Sequence, residues 1–259
     1  MKRAPEGVDP AVAEAGVGAA AHSSQPVVST QGHVGQGSSS HGPAGRSVVA
    51  VLMILTVVTG VVDAVTYLGL GHVFAANMTG NTVLLGFALG GASEISITAS
   101  LVSLAAFLVG AAAGGFLARA LEADRRRWLA TALVLETVGL WLAAGCAALA
   151  LSGYVIVGLL ALTMGMRNAT VRRMAVPDLT TTVLTLTVTG LAADAAGGSG
   201  SNRVSTRRIG SIVAMLAGAL AGALLLGQSL AAPLVLAGGV LVLTTAAFVL
   251  AGRGARQAG

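Results

Sequence analysis

The sequence has little charge, few aromatic side chains and a single cysteine. Charged residues make up 10% of the 259 positions and aromatic residues 3%, whereas a soluble globular domain has about 25% charged residues. Hydrophobic residues make up 55% and the mean hydropathy is +0.85. This composition excludes an ordinary soluble domain and indicates an all-α integral membrane protein.

Several kinds of site are also missing. Cys146 is the only cysteine and lies in an apolar run, so neither an intrachain disulfide nor a thiolate metal cluster can form. Three of the four histidines, His22, His33 and His41, lie in the N-terminal tail, and the sequence has no Cys/His cluster. No nucleotide-binding, nucleophile or metalloprotease motif occurs. We therefore expect no metal, no cofactor, no catalytic residues and no enzymatic activity.

The formal net charge of +5 would suggest a nucleic-acid partner in a soluble protein. Here the basic residues lie between apolar runs, where they are typical topology signals of a membrane protein. We therefore expect the partner to be membrane lipid and not nucleic acid.

Both ends of the chain differ from its apolar middle. Residues 1–46 are rich in Gly, Ser, Ala and Gln and contain no apolar run, which predicts a disordered cytoplasmic tail. Residues 253–259 form a short C-terminal tail that we also place in the cytoplasm.

Eight apolar runs follow the N-terminal tail, and two of them are short. A helix needs about 20 residues to cross a bilayer core of about 30 Å. The runs are 48–70, 79–91, 96–118, 128–149, 153–171, 180–196, 209–227 and 231–251. Runs 79–91 and 180–196 reach only about 20 and 25 Å as helices, so both are interpreted as re-entrant segments.

The basic residues favour six spans over eight. If the two short runs are re-entrant and the N-terminus is inside, all 15 Lys and Arg lie on the cytoplasmic side. If all eight runs cross, about half of them move outside, against the positive-inside rule. The sequence therefore predicts six transmembrane helices in the plasma (inner) membrane of a bacterium, with cytoplasmic N- and C-termini.

The two halves of the membrane region resemble each other. The matching segments are 133–137 with 241–245, Gly110 with Gly218, Gly114 with Gly222, and 60–63 with 165–168. The first three pairs share an offset of 108 residues and the last has an offset of 105. These matches predict two repeats, 47–152 and 153–252, each of three spans and one re-entrant helix. Because three is odd, the second repeat is inverted.

The polar stretch 75–81 interrupts the apolar sequence and is the first candidate for a working site. In each repeat we expect an extended limb to reach the middle of the membrane and a short helix, capped by Thr79 or Thr180, to return. Two helix N-termini would then face each other and attract an anionic or dipolar solute. The predicted substrate-binding residues are Asn77, Thr79, Gly80, Asn81, Asn168, Thr180, Thr181 and Thr182. The alternative is that these side chains only satisfy each other and the broken backbone.

Asp63 lies deep in the first span. Carboxylates inside a membrane are costly and are functional candidates by default, so a proton-coupling role is one interpretation. The other is that a neutral or hydrogen-bonded Asp63 holds the limb around Asn77 to Asn81. The matching position, Asn168, cannot titrate. Glu136 is interpreted as a structural partner, either of Arg167 or of the site at Asp63.

Gly110/Gly114 and Gly218/Gly222 are small-xxx-small pairs that let helices approach closely. We expect them to pack inside the bundle, and a homodimer interface is the alternative.

These residues resemble a known family. The resemblance rests on 60–64, the F-x-x-N-M-T-G-N stretch at 74–81, 164–168 and the threonine cluster 180–182, and it covers about residues 47–251. All are similar to the YoaK family of bacterial inner-membrane proteins, a domain of unknown function. The family usually has Gln where this chain has Arg167, and the long N-terminal tail is not part of its pattern. The resemblance implies a multi-helix membrane protein and no established activity.

From the residues themselves we expect a transporter or channel for a small polar or anionic solute, which would bind between the two re-entrant helix N-termini. The alternative is a non-transporting membrane scaffold that assembles partners through its glycine faces and basic loops.

Overall fold

The computed structural model describes residues 43–174, 184–197 and 202–257, and within these ranges the chain is helical and contains no β-strand. Eight helices occur there: α1 (Pro43–Gly69), α2 (Met78–Leu89), α3 (Ile97–Ala120), α4 (Arg125–Ala148), α5 (Gly153–Met174), α6 (Leu184–Gly197), α7 (Asn202–Leu226) and α8 (Ala231–Gln257).

Six of these helices, α1, α3, α4, α5, α7 and α8, are long and apolar enough to cross a membrane. The two others are short: α2 has 12 residues and α6 has 14, so they reach only about 18 and 21 Å. The expected all-α class and the six membrane-length helices are confirmed.

Helices α1 and α5 form the centre of the bundle. In the most apolar stretch of each helix, 67% of the residues are buried in α1 and in α5. The buried share is only 22% in α3 and 17% in α7. The outer helices expose large apolar side chains such as Phe116 and Leu224. An apolar outer surface suits contact with lipid, and more of the buried polar side chains lie on α1 and α5 than on the other helices.

Glycines bring two helix pairs into backbone contact, α3 with α5 and α1 with α7. A Cβ atom at any of four glycines would overlap a carbonyl oxygen of the facing helix. These contacts are Gly110 on Leu162, Gly165 on Phe107, Gly218 on Val57 and Gly60 on Met215. The contacts in the second pair follow those in the first at the offsets of 108 and 105 residues found in the sequence.

Helix directions follow from the contacts near the helix ends. The start of α5 lies against the end of α1, since Gly153 is beside Leu70, while Arg167 near the end of α5 bonds to Leu55. Helices α1 and α5 are therefore antiparallel.

Helices α4 and α8 are antiparallel as well. Arg126 lies at the start of α4, and its Nη2 donates a hydrogen bond of 2.6 Å to the carbonyl oxygen of Phe248, near the end of α8. Further along α4, the indole of Trp141 lies over Gly238 in the first half of α8.

The start of α2 differs from the sequence prediction. Its N-cap is Asn77, whose side-chain oxygen accepts a hydrogen bond from the amide of Gly80, and the helix begins at Met78. The prediction of Thr79 as the cap was therefore wrong. An asparagine is at least as good a cap as a threonine, and Asn77 precedes Thr79 in the chain. Thr180, the other predicted cap, and residues 1–42 of the predicted tail 1–46 lie outside the described residues, while residues 43–46 form the start of α1.

Gly110→Ala should destabilise the protein by about 1–3 kcal/mol, because the added methyl group must push α3 away from α5. The matched control is Gly115→Ala on the same helix, where a Cβ meets nothing within 4 Å. Thermal unfolding in detergent should show a lower midpoint for Gly110→Ala only. Equal midpoints for the two variants would contradict the close packing.

Candidate functional site

The chain reverses direction directly after α1. Gly71 and His72 both have positive φ, 92° and 57°. The ring of Tyr67 stacks on that of Phe74 with centroids 4.9 Å apart and meets His72 edge-on at 5.3 Å. These contacts fold the segment after α1 back along the last turns of the helix.

Asp63 holds this returning segment. Its Oδ1 accepts hydrogen bonds from the backbone amides of Ala75 at 3.1 Å and Ala76 at 2.9 Å. The residue is 5% exposed. A non-helical backbone inside a membrane must find partners in the protein, and the carboxyl group of Asp63 supplies two of them.

Asn81 supplies further partners from the other side of the segment. Its side-chain oxygen accepts from the Phe74 amide at 2.7 Å, and its nitrogen donates to the Phe74 carbonyl at 2.6 Å. The same nitrogen donates to Ser103 Oγ on α3 at 3.0 Å, and the Ser103 hydroxyl donates to the Phe74 carbonyl at 2.7 Å. Asn81 therefore connects α2, α3 and the non-helical segment before α2.

The segment before α2 lies beside the last part of α1. Asp63, which binds the amides of Ala75 and Ala76, is six residues before Gly69, the end of α1, which corresponds to about 9 Å along the helix axis.

The predicted binding residues in this region have different environments. Asn81 is fully buried, whereas Asn77 and Thr79 are exposed and Gly80 is half-buried. Asn168, on α5, is 7% exposed. The threonine cluster 180–182 lies outside the described residues.

A buried ion pair joins α4 and α5. Arg167 Nη1 on α5 donates to Glu136 Oε1 on α4 at 2.9 Å, and both side chains are 2% exposed. Arg167 also reaches α1: Nη1 donates to the Leu55 carbonyl at 2.9 Å and Nη2 to Thr59 Oγ1 at 2.5 Å. One guanidinium thereby joins α1, α4 and α5.

Asp63 lies close to this pair. It follows Thr59 by four residues on α1, so the two lie on the same face of the helix, one turn apart, about 5–6 Å along the axis. Asp63, Glu136 and Arg167, here called the charged cluster, thus lie in neighbouring positions within the membrane helices.

Arg167 keeps one donor unused. Its Nε has no hydrogen-bond partner among the described residues, although the other two nitrogens are bonded. Buried polar groups are nearly always paired, which makes this unused guanidinium donor a candidate contact for a bound molecule.

Two other features of the described chain bear on binding. A shallow groove of about 520 Å³ lies between α4 and α8, but it is lined by apolar residues and Trp141, with no titratable side chain. Within the described residues, no group of three His, Cys, Asp or Glu side chains could hold a metal ion.

Sequence reasoning missed three participants. Ser103 and Thr59 are hydroxyl residues inside apolar runs, where they are usually bonded to their own helix, and no pattern marks them as cross-helix partners. Leu55 takes part only through its backbone carbonyl, which a sequence cannot reveal. Asn77 was singled out for solute binding and is found as the cap of α2.

Arg167→Gln should cost about 3–5 kcal/mol of stability, because it leaves the charge of Glu136 buried without compensation. Glu136→Gln should cost less, because the carboxyl group of Asp63 lies near Arg167 and can compensate its charge. The double variant should recover much of this loss. The free energies of unfolding of the natural chain, the two single variants and the double variant measure the coupling between Arg167 and Glu136.

The control is Arg127→Gln. Its pair with Asp124 at 3.4 Å has one side chain 72% exposed, so its removal should cost less than about 1 kcal/mol. Additive losses in the Arg167 and Glu136 cycle would contradict a strong buried pair.

Comparison with known proteins agrees with the membrane fold. The chain is 32% identical over 157 residues to the UPF0700 transmembrane protein YoaK of Bacillus subtilis (strain 168), a match that covers 57% of this chain and 67% of that protein. No solved structure matches the chain. The family described as "Protein of unknown function (DUF1275)" matches residues 51–247. The chain therefore belongs to this family of multi-pass membrane proteins, whose function is not established.

Proposed function

We propose that the protein provides a path for a small polar or anionic solute across the membrane, as a transporter or a channel. The observation that carries the proposal is the buried guanidinium of Arg167 with its unused Nε donor. Charged side chains inside membranes are costly and commonly mark solute or ion paths. A guanidinium N–H is also a strong donor to carboxylate, phosphate and other oxygen-bearing solutes.

The directions of the helices support a re-entrant α2. If α2, α3 and α4 all crossed the membrane, α1 and α5 would run in the same direction. They are antiparallel, as the contacts of Gly153 with Leu70 and of Arg167 with Leu55 require. This arrangement is expected if one of the three does not cross, and α2, with 12 residues, is the shortest of them.

The same reasoning applies to the second half. Helices α4 and α8 are antiparallel, which is expected if α6, the 14-residue helix, returns to the side it came from. Together with the matching glycine contacts, this supports an inverted repeat of three spans plus three. Many transporters with such repeats bind their solute where the repeats meet, at broken helices.

The charge distribution supports an orientation. With six spans, the basic residues at the ends of α3, α4, α5 and α7 all fall on one side, among them Arg119, Arg126, Arg172 and Arg207. The positive-inside rule makes this side cytoplasmic. We therefore propose that both termini lie in the cytoplasm of a bacterial cell and that the non-helical segment before α2 lies on the side of the membrane facing outward.

The proposed solute contacts are the exposed residues at the start of α2 and the unused donor of the buried Arg167. Asn77 and Thr79 are exposed at the start of α2, where the helix N-terminus favours negative charge. Asn81 holds the backbone and is bonded on both its oxygen and its nitrogen. We propose Asn77, Thr79, Gly80 and Arg167 as the contacts in this half, and Asp63 as the group that couples movement to protons.

One observation favours the alternative, a non-transporting scaffold. Asp63 and Asn81 are bonded to backbone atoms of residues 74–76, and those bonds would be needed in a purely structural protein too. A scaffold would co-purify with partner proteins and would move no solute.

Flux into liposomes containing the purified full chain tests the proposal. The probes are chloride, nitrate, phosphate, short carboxylates and amino acids, each with and without a pH gradient. We expect at least one probe to enter faster than into empty liposomes. Asp63→Asn should bring its rate close to that of empty liposomes, because the variant keeps an acceptor for the backbone amides but cannot carry a proton.

The control for the flux assay is Glu122→Gln, which alters an exposed acidic residue between α3 and α4 and should leave the rate unchanged. If no probe enters faster than into empty liposomes, the transport proposal is wrong and the scaffold is favoured.

A further inference from the structure

The charged cluster contains two acidic side chains and only one basic side chain. Arg167 is paired with Glu136 at 2.9 Å, and this contact balances one positive charge with one negative charge. Asp63 has no ion pair within the described part of the chain, and its bonding partners are the amides of Ala75 and Ala76. If all three groups were ionised, the cluster would carry one net negative charge inside the membrane.

Charges on the surrounding helices do not remove this excess. Helix α7 packs against α1 near Val61 and Ala64, opposite Gly222, while Arg207 and Arg208 lie some 14 residues earlier, about 20 Å along the axis. The span of α8 at 231–251 has no charged residue. Arg172 and Arg173 follow Arg167 on α5, which runs antiparallel to α1, so they lie further from Asp63.

The returning segment contributes one titratable side chain. His72 lies at the turn, and its ring Nδ1 is 3.1 Å from the Glu94 carbonyl oxygen at an exposed position. The ring therefore contacts the loop before α3, whereas the hydrogen bonds of Asp63 go to Ala75 and Ala76.

We propose that Asp63 is protonated in this conformation, so that the charged cluster is neutral and holds one exchangeable proton. A carboxylate buried without a counter-ion is strongly disfavoured in a membrane. Two neutral amide donors offset only part of that cost. Glu136 has the direct contact with Arg167, so the proton belongs on Asp63. Oδ1 accepts the two amide bonds, which leaves Oδ2 as the oxygen that carries the proton.

This assignment gives Arg167 a second role. When Asp63 loses its proton to water, the nearest positive charge is Arg167, one helical turn away. The guanidinium must then be shared between two carboxylates on α1 and α4, which weakens its bond to Glu136. Deprotonation therefore favours a different arrangement of α1, α4 and α5. The use of that rearrangement in solute movement rests on the proposed function, but the protonation does not.

Infrared spectroscopy of the full chain in lipid bilayers tests the assignment. A protonated carboxyl group gives a C=O stretching band that a carboxylate lacks. The protein is prepared with ordinary aspartate and with aspartate carrying a heavy side-chain carboxyl carbon. Near neutral pH we expect a carboxylic acid band that shifts with the labelled aspartate and is lost in Asp63→Asn.

Two variants sharpen the test. Glu136→Gln frees Arg167 to neutralise Asp63, so the band should vanish at a lower pH than in the natural chain. Glu122→Gln, the exposed control, should leave the band unchanged. If Asp63→Asn does not fold, Asp63→Glu replaces it: the band should persist but no longer respond to labelled aspartate.

Each outcome decides the proposal. The absence of a label-sensitive acid band near neutral pH, or its survival in Asp63→Asn, overturns the assignment. A band that behaves as expected in a protein that moves no probe in liposomes supports the proton site and contradicts only the transport function. Flux without the band contradicts only the proton site.

Discussion

The lipid interior offers no hydrogen bonds, and this constraint governs the segment between α1 and α2. Helix α1 ends at Gly69 and the chain turns back at Gly71 and His72, so that several backbone groups lose their helical partners. Asp63 accepts hydrogen bonds from the amides of Ala75 and Ala76. Asn81 is hydrogen-bonded to both the amide and the carbonyl group of Phe74. The central claim of our account is that these bonds allow α2 to start inside the membrane and return to the side it left.

The polar side chains are concentrated on the central helices. Helices α1, α4 and α5 carry the charged cluster, and α1 and α5 are the most buried of the six long helices. The outer helices α3 and α7 are held by glycine contacts with the backbone of their neighbours. A bundle that puts charge at its centre and small residues at its seams can bury ionisable groups without exposing them to lipid.

Much of the fold could be predicted from the sequence because it depends on length and composition. Apolar runs of about 20 residues identified the six long helices, and the short run 79–91 marked α2. The helix start was misplaced by one residue and its cap by two, because Asn77 and Thr79 are both good caps and sequence alone does not rank their contexts.

The candidate site was harder to predict. Asp63 and Asn81 stood out as polar residues in an apolar setting, but their bonds go to backbone atoms at residues 74–76, whose positions depend on how the chain turns at Gly71 and His72. Glu136 was expected to meet either Arg167 or the site of Asp63. The packing of α4 against α5 brings Glu136 into contact with Arg167. The sequence could not decide between the two partners, because contacts between distant helices leave no local sequence pattern.

The most direct measurement is the labelling of single cysteines in intact cells with a reagent that cannot cross the membrane. In a chain carrying Cys146→Ala, one cysteine is introduced by Ser93→Cys, Ala123→Cys or Ser205→Cys. Our account predicts that the cysteine at position 93, between α2 and α3, reacts, and that those at 123 and 205 react only after the membrane is opened. Labelling at 123 in intact cells together with protection at 93 would mean that α2 crosses the membrane, and would contradict the account.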